Sequence, residues 1–301
     1  MLRGRLTVLL ALAVAAGWDC APRTPDGPEP APAAPQRIVS LAPSLTETLF
    51  ALGVGDRVVG VTRYCAHPPA VRGLPRVGGH LDPSYEAIVA LEPDLVVVIP
   101  SSEASERRLG SLGVPVLRVD QHDVDGVLDS ISVLAEACGV EERGAALRRD
   151  IERRLEAVAR AAAGRARPRT VVVVGHEIGA GAVRSVWAAG PETFYDGVLE
   201  LAGGVNAIES GVVRYPELSR EGLAALDPDV VIDVVAGVEE RGMDIERIRA
   251  GWRALTELRA VREGRVRVLE GDVMVVPGPR LPEMVAAVSA ALAAERDGGG
   301  L

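Results

Sequence analysis

Aromatic side chains are scarce in this 301-residue chain, where phenylalanine, tryptophan and tyrosine together make up 3% of the residues. Each aromatic residue outside the hydrophobic core is therefore a candidate binding residue. Basic residues are also in the minority: the formal net charge is −9, and no run of basic residues follows the N-terminus. This charge balance argues against a nucleic-acid partner, because phosphate backbones select basic surfaces.

Cysteine is nearly absent as well, with three residues in the whole chain. Cys20 lies near the N-terminus, whereas Cys65 and Cys138 are widely separated, and no Cys-x-x-Cys pair is present. This spacing excludes the usual paired-cysteine metal motifs. Cys65 and Cys138 could form a disulfide in an exported protein, but their spacing in the sequence leaves this open.

The sequence has no hydrophobic run of the length that a spanning helix needs, which is about 20 residues. A short apolar run, Leu6–Trp18, follows the basic start "MLRGR" and has the length of a signal-peptide core. Residues 1–20 are therefore predicted to be a signal peptide, and the proline-rich residues 21–36 an extended tether. Cys20 is the candidate lipid-bearing residue of a lipoprotein. Because Trp18-Asp19 is an unusual pair before such a cysteine, ordinary cleavage near Ala15 is the alternative.

Either form of processing predicts an exported protein, located in the periplasm or at the cell surface and anchored by lipid if Cys20 is modified. The usual enzyme motifs are missing from the exported part. It has no His-Glu-x-x-His, no nucleophile elbow and no correctly spaced glycine-rich phosphate loop. We therefore predict that the protein is not an enzyme. A secreted metal-dependent enzyme using His67, His80 and Asp82 is the remote alternative.

Strand and helix patterns alternate along most of the chain, which predicts an α/β fold with central parallel sheets. Residues 37–140 form the first predicted lobe, 167–296 form the second, and 297–301 are a short tail. Residues 141–166 lie between the lobes and combine helix-forming residues with apolar positions at helical spacing. They predict one long helix that links two Rossmann-like lobes.

One segment of the sequence occurs twice in similar form. "HLDPSYEAIVALEPDLVVV" begins at His80, and "YPELSREGLAALDPDVVID" begins 135 positions later (215 minus 80), at Tyr215. In each copy a serine is placed to cap a helix, and Glu86 or Glu221 then falls at the second helical position. A carboxylate in the first turn interacts favourably with the helix dipole. Taken alone, this pattern therefore indicates two helix-stabilising glutamates and a duplicated lobe.

The two copies, together with "RIVSLAPSLTETLFALGVGDRVVGVTRYCAHPP" and the mid-chain helix, resemble the substrate-binding proteins of ABC importers for cobalamin, ferric siderophores and heme. Within that family the resemblance is greatest to the cobalamin binders, and it spans roughly residues 37–296. It implies two lobes bridged by a rigid helix, with a small metal chelate held in the cleft between them. It also implies a monomer whose Glu86 and Glu221 dock onto arginines of a dimeric permease that works with an ATPase.

The same resemblance assigns candidate ligand contacts. His80 and Tyr215 precede the two repeated helices and are expected to face each other across the cleft, with Tyr64 and Trp187 as further aromatic contacts. Arg280 precedes a helix near the cleft, where it would either meet an anionic ligand group or stabilise its loop.

The predicted ligand is a corrinoid such as cobalamin (vitamin B12). A ferric siderophore or heme is the alternative within the same family. His67 and His80 lie in or near predicted cleft loops, so either imidazole could approach the metal of the bound chelate. No catalytic cofactor is expected.

Overall fold

A computed structural model describes residues 33–100, 103–179, 181–209, 213–236 and 244–294 of the chain. The predicted signal peptide, Cys20, most of the tether and the tail at 297–301 lie outside the described residues. Export and lipidation therefore remain predictions from the sequence.

The N-terminal lobe is built on a parallel sheet whose described strands follow the order β2-β1-β3-β4. Its elements are β1 (Ile38–Ser40), α1 (Pro43–Ala51), β2 (Val58–Val61), α2 (Tyr85–Ala90), β3 (Leu95–Val98), α3 (Glu103–Gly110), β4 (Val116–Arg118) and α4 (Val124–Cys138), with short 3-10 turns at Gly55–Arg57 and Pro69–Gly73. All residues of β3 are buried, as expected for a strand covered by helices on both faces. The prediction of a parallel α/β lobe is confirmed.

The helix predicted to link the lobes is α5 (Glu141–Ala162), a continuous helix of 22 residues. At 1.5 Å per residue it is about 33 Å long, which is enough to pass from one sheet to the other. It ends before residue 166, the predicted boundary, and the chain turns at Gly164, whose φ is 82°. Ile151 and Leu155 lie one turn apart on its buried face, so one stripe of α5 belongs to the core.

The C-terminal lobe has the predicted parallel strands at its centre, within a sheet that is mixed as a whole. Strands β5, β9 and β10 are parallel, whereas β6 pairs antiparallel with both β5 and β8. The elements are β5 (Arg169–Gly179), β6 (Ala182–Ala188), α6 (Phe194–Ala202), β7 (Val205–Asn206), β8 (Glu217–Ser219), α7 (Arg220–Leu226), β9 (Val230–Val235), α8 (Ile245–Arg253), α9 (Arg259–Arg262), β10 (Val266–Glu270), a 3-10 turn at Asp272–Met274, and α10 (Leu281–Ala293). Strands β5 and β6 pair antiparallel, so the lobe carries a two-stranded extension on its parallel core.

A single hydrophobic cluster runs through both lobes. It includes Leu49 of α1, Leu134 of α4, Ile151 of α5, Leu199 of α6 and Val285 of α10. Each of these side chains is at most 1% exposed. The helices between the two sheets therefore pack into a core that crosses the lobe boundary, although each lobe also has a smaller cluster of its own. The shared core restricts how far the lobes can rotate against each other.

Candidate ligand-binding cleft and docking faces

A cavity of about 200 Å³ lies between the lobes. Gln121 and His122, which follow β4, form its N-terminal wall. Its C-terminal wall is formed by the start of α6, by the segment before β8 and by the segment before α10; the residues are Thr193, Phe194, Tyr195, Arg214, Tyr215, Val275 and Pro277. The cavity thus opens at the carboxyl end of a parallel strand, where α/β proteins usually bind their ligands.

Of the residues predicted to contact the ligand, Tyr215 lines this cavity. Tyr215 is 46% exposed, so this aromatic residue has surface that a ligand in the cavity can cover. Burial of the hydroxyl raises the pKa of the Tyr215 phenol, and the neighbouring Arg214 guanidinium opposes that shift. The phenol is therefore neutral at physiological pH and suits stacking or hydrogen bonding to a ligand.

Tyr64 lies on the loop after β2 and is exposed. Its neighbour Arg63 forms an ion pair with Asp82 and places its guanidinium carbon 5.3 Å from the centre of the Tyr64 ring. The Arg63 backbone N–H also donates to the Gly78 carbonyl at 2.8 Å. These contacts fix the Tyr64 loop against the loop that carries Asp82, and Tyr64 is presented to solvent from a rigid base.

Trp187 lies on β6 and is 42% exposed, which is unusual for so large an apolar side chain. One face of its ring packs against Gly175 of β5, where an added Cβ would stand 3.4 Å from the ring. Neither Trp187 nor Tyr64 belongs to the lining of the 200 Å³ cavity. Their role as ligand contacts remains a prediction.

His80 is half-buried in the loop before α2, and its Nδ1 atom is buried without a hydrogen-bond partner in the described part of the chain. Burial lowers the pKa of this imidazole, because the charged form is penalised away from water, while the Leu41 backbone opposes the shift.

His67 acts electrostatically on the carboxyls of Glu47 and Asp272. Within the described residues, no group of three or more His, Cys, Asp or Glu side chains is placed to hold a metal ion.

Arg280 pairs with two carboxylates, which favours loop stabilisation, the second of its two predicted roles. Its Nε and Nη2 atoms donate to Glu47 of α1 at 2.8 and 2.5 Å, and its guanidinium also donates to Asp272 at 3.1 and 3.2 Å. Hydrogen bonding to Glu47 is the main reason that the pKa of Arg280 is raised. Arg280 thus joins the lobes behind the segment that supplies Val275 and Pro277 to the cavity.

Sequence reasoning assigned no role to the rest of the cavity wall, which includes His122, Tyr195 and Arg214. The ring of His122 is held between two carboxylates, with Nδ1 3.0 Å from Asp120 and Nε2 3.0 Å from Asp123. His122 lies shortly after a predicted parallel strand, and this position at the strand end could have identified it as a binding residue. No comparable pattern in the sequence pointed to Arg214 or Tyr195.

The cysteines that could have formed a disulfide are both free and buried. The Cys65 sulfur lies 3.2 Å from the hydroxyls of Thr46 and Thr62. Burial raises the pKa of the Cys138 thiol, so this sulfur behaves as a small apolar group in the core of the first lobe.

The repeated glutamates occupy equivalent positions, as the sequence predicts. Ser84 caps α2 by accepting a hydrogen bond from the Ala87 N–H at 3.3 Å, and Ser219 caps α7 in the same way. Glu86 and Glu221 are then second in their helices, and both are exposed. The Glu221 carboxylate is held by its own backbone N–H and the Ser219 hydroxyl, and these contacts lower its pKa. Each lobe therefore presents one negative charge on a short, capped helix.

Two α/β lobes joined by one helix, with a cavity at the strand ends between them, form the architecture of a protein that holds a solute between its lobes. The profile of the Periplasmic binding protein family matches residues 38–273, and the chain belongs to this family. The family predicted from the sequence is confirmed.

Proteins named for cobalamin binding and for heme binding are among those similar to this chain. A cobalamin-binding protein of Halobacterium salinarum is 31% identical over 268 residues, which cover 84% of this chain and 68% of the relative. The vitamin B12 binding protein BtuF of Vibrio cholerae has a TM-score of 0.71 at 27% identity, covering 87% of this chain and 98% of its own. A periplasmic heme binding protein from Pseudomonas aeruginosa also has a TM-score of 0.71, at 32% identity and with coverages of 85% and 92%.

None of the helices in the described residues is both long enough and apolar enough to cross a membrane.

Proposed function

We propose that this protein binds a corrinoid, cobalamin or a close analogue, in the cleft between its lobes and delivers it to an ABC importer. The observation that carries the proposal is the exposure of large aromatic faces, Trp187 and Tyr215, in a chain with few aromatic residues. Rigid aromatic faces bury much ligand area and lose few rotamers, which suits a flat macrocycle. The names of the cobalamin-binding relatives agree with this choice.

The donors in the cavity wall also favour a macrocycle whose metal brings its own axial ligands. Both nitrogens of His122 already lie 3.0 Å from carboxylate oxygens. The Tyr195 hydroxyl donates to the Met274 carbonyl at 2.9 Å, and burial raises the pKa values of Tyr195 and Tyr215. Ferric iron is bound by ionised phenolate, which these phenols disfavour. The cobalt of cobalamin is coordinated on both faces and needs no donor from the protein.

Heme or a ferric siderophore is the second candidate, and Tyr64 is the observation that favours it. This tyrosine is exposed on a loop that Arg63 fixes in place, and a phenol oxygen is a ligand that ferric iron accepts. Heme-binding neighbours share the fold at comparable TM-scores.

The test is a titration of the exported form of the chain with cobalamin, cobinamide, heme and several ferric siderophores, followed by calorimetry and absorption. We expect corrinoid binding without replacement of an axial ligand of cobalt by the protein. Tight heme binding with a Soret band, and no corrinoid binding, would establish the second candidate instead.

Glu86 and Glu221 are the proposed contacts with the importer. Two similar capped helices, one per lobe, let a single monomer present matching charges to a permease dimer with two-fold symmetry. Arginine is the expected partner, because its guanidinium binds a carboxylate with two parallel hydrogen bonds. In this assignment residues 37–140 and 167–296 act as the two docking lobes, and an ATPase drives the permease.

We also propose that the protein is exported and held at the membrane surface through lipidated Cys20, with residues 21–36 as the tether. The signal-peptide pattern and the position of the cysteine support this arrangement. Mass spectrometry of the mature N-terminus should show a diacylglyceryl adduct in the wild type and none in Cys20→Ser. An unmodified N-terminus created near Ala15 would favour the soluble form.

A further inference from the structure

Arg214 is a cation on the wall of the cleft, and its side chain has no polar partner among the residues that the structure describes. Its side chain is exposed and lines the 200 Å³ cavity beside Tyr215. Its guanidinium makes no hydrogen bond and no ion pair with any residue that the structure describes. Its charge acts on Tyr215, where it opposes the rise in the pKa of that phenol.

Other arginines around the cleft are paired. Arg63 binds Asp82, and Arg280 binds both Glu47 and Asp272. Their charges are therefore neutralised within the protein and hold loops in place. Arg214 differs because its positive charge is left available inside a binding cavity.

The backbone of Arg214 is fixed even though its side chain is free. The Arg214 carbonyl accepts a hydrogen bond from the Gly190 N–H at 2.8 Å, and the Pro216 carbonyl accepts one from Ala188 at 3.0 Å. Gly190 lies so close to this segment that an added Cβ would stand 3.1 Å from the Arg214 carbonyl oxygen. The end of β6 thus sets the origin of the side chain, and the guanidinium retains the freedom to meet a ligand.

On the opposite wall, two carboxylates lie beside the lining residue His122. Asp120 and Asp123 flank His122, and this group follows β4 in the N-terminal lobe. An anionic part of a ligand is therefore repelled from the N-terminal wall and attracted to the C-terminal wall. The two walls together can orient an asymmetric ligand in the cavity.

We propose that Arg214 is a specificity-determining residue that recognises an anionic group, a phosphate or a carboxylate, at the edge of the bound macrocycle. This inference rests on the proposed function and deepens it. A corrinoid with a complete nucleotide loop supplies a phosphodiester, and heme supplies propionate carboxylates. The planar guanidinium matches either oxyanion through two N–H donors.

The test measures the Kd of two ligands for two proteins, the wild type and an Arg214 variant. Cobinamide has the corrin ring but lacks the nucleotide loop and its phosphate, so it serves as the matched ligand for cobalamin. In Arg214→Gln we expect the Kd for cobalamin to rise about tenfold, on the scale of one charge-assisted contact, while the Kd for cobinamide is unchanged. Raising the salt concentration should weaken cobalamin binding to the wild type more than to the variant.

Arg247→Gln is the matched control protein, since Arg247 is an exposed arginine on α8 that does not line the cavity. It should bind both corrinoids as the wild type does. Arg214→Lys retains the charge but loses the planar fork, so its Kd for cobalamin should lie between those of the wild type and Arg214→Gln.

The inference is overturned if Arg214→Gln weakens both corrinoids equally, because Arg214 then only shapes the cavity, or if it weakens neither. If the wild type binds no corrinoid, the proposed corrinoid function fails. The role of Arg214 is then decided by measuring the Kd of heme and of heme dimethyl ester for the same two proteins. The dimethyl ester has no propionate charge. A loss confined to free heme supports the inference, and equal or absent losses overturn it. A protein that binds neither pair of ligands overturns both proposals.

Discussion

Glu47 of the N-terminal lobe and Arg280 of the C-terminal lobe form an ion pair that joins the lobes, although 233 positions separate them in the chain. Two hydrogen bonds of 2.8 and 2.5 Å connect the groups, whose side chains are 4% and 17% exposed. Burial raises the pKa of Glu47, and the Arg280 contact opposes that shift. The lobes are therefore held together by this pair as well as by α5 and the shared core.

Removing one member of this pair should destabilise the fold. Arg280→Ala leaves the Glu47 carboxylate buried without its cation, and such a loss costs about 3–5 kcal/mol in the free energy of unfolding. Urea denaturation measures the change. The double variant Glu47→Leu with Arg280→Met is the control, and it should recover most of the loss because no buried charge is left unpaired. Equal stabilities for Arg280→Ala and the wild type would show that the pair contributes nothing.

Ligand binding should produce only a small rotation between the lobes. The 22-residue α5 is continuous, the core crosses the lobe boundary, and the Glu47–Arg280 pair ties the lobes together. These features oppose the wide hinge closure that two or three flexible linkers would allow. Small-angle scattering should give nearly the same radius of gyration with and without ligand, and a large decrease would contradict this prediction.

The parts of the fold that were predicted from the sequence depend on local signals. Serine caps and the spacing of apolar residues placed α2 and α7 and set both glutamates at the second helical position, as observed. The β5–β6 hairpin was missed because β5 continues through His176 and Glu177, which break the apolar run of the strand. Pairing with β6 stabilises His176 and Glu177 in a strand. This pairing is a tertiary contact that the local sequence does not reveal.

The cavity was harder to predict than the sheets. Its wall brings together His122, Tyr195 and Arg214, which lie in three separate segments and share no motif. The resemblance between repeats identified Tyr215, because that residue stands directly before a repeated helix. For Arg280 the sequence left two roles open, contact with the ligand or stabilisation of its loop. An arginine's partner depends on which carboxylates the fold places nearby, and sequence spacing does not reveal Glu47 as that partner.

Loss of the Tyr215 ring should weaken ligand binding. Tyr215→Ala removes an aromatic face from the cavity wall, and we expect a loss of about 2 kcal/mol, or about 30-fold in Kd. Tyr215→Phe keeps the ring and should bind within a few-fold of the wild type, which separates stacking from hydrogen bonding. Calorimetry with the cognate macrocycle measures both. Equal affinities for Tyr215→Ala and the wild type would remove this residue from the site.

Two histidines should give the stability opposite dependences on pH. The buried Asp233 carboxylate lies 3.3 Å from Nδ1 of His176 and raises the pKa of that imidazole above 6.5, although burial opposes the shift. Because the folded pKa is raised, the stabilisation is fully present below about 6.5 and is lost as pH rises through the folded pKa. Burial lowers the pKa of His80, so its contribution is present above about 6.5 and is lost as pH falls.

Denaturation curves at a series of pH values test this pair. The stability difference between the wild type and His176→Gln should shrink as pH rises above about 6.5, whereas the difference for His80→Gln should shrink as pH falls. Two differences that change with pH in the same direction would refute the assignment.

The repeated glutamates should be needed for transport and not for ligand binding. Glu86 and Glu221 are exposed on capped helices, one per lobe, and neither lines the cavity. Replacing both with alanine should lower the uptake rate in proteoliposomes with the cognate permease about tenfold or more, because the charge pairs at the interface are lost. Ligand affinity measured by calorimetry should be unchanged.

The helix dipole offers a competing explanation, and Glu142 provides the control for it. Glu142 is also an exposed glutamate at the second position of a helix, α5, but it lies outside the repeat. If the repeated glutamates act only on their helices, then Glu142→Ala should affect transport as little as Glu86→Ala and Glu221→Ala do. If they are docking contacts, each of those two variants should slow transport while Glu142→Ala transports normally. Wild-type transport by the double variant Glu86→Ala with Glu221→Ala would show that the repeat reflects only a shared lobe design.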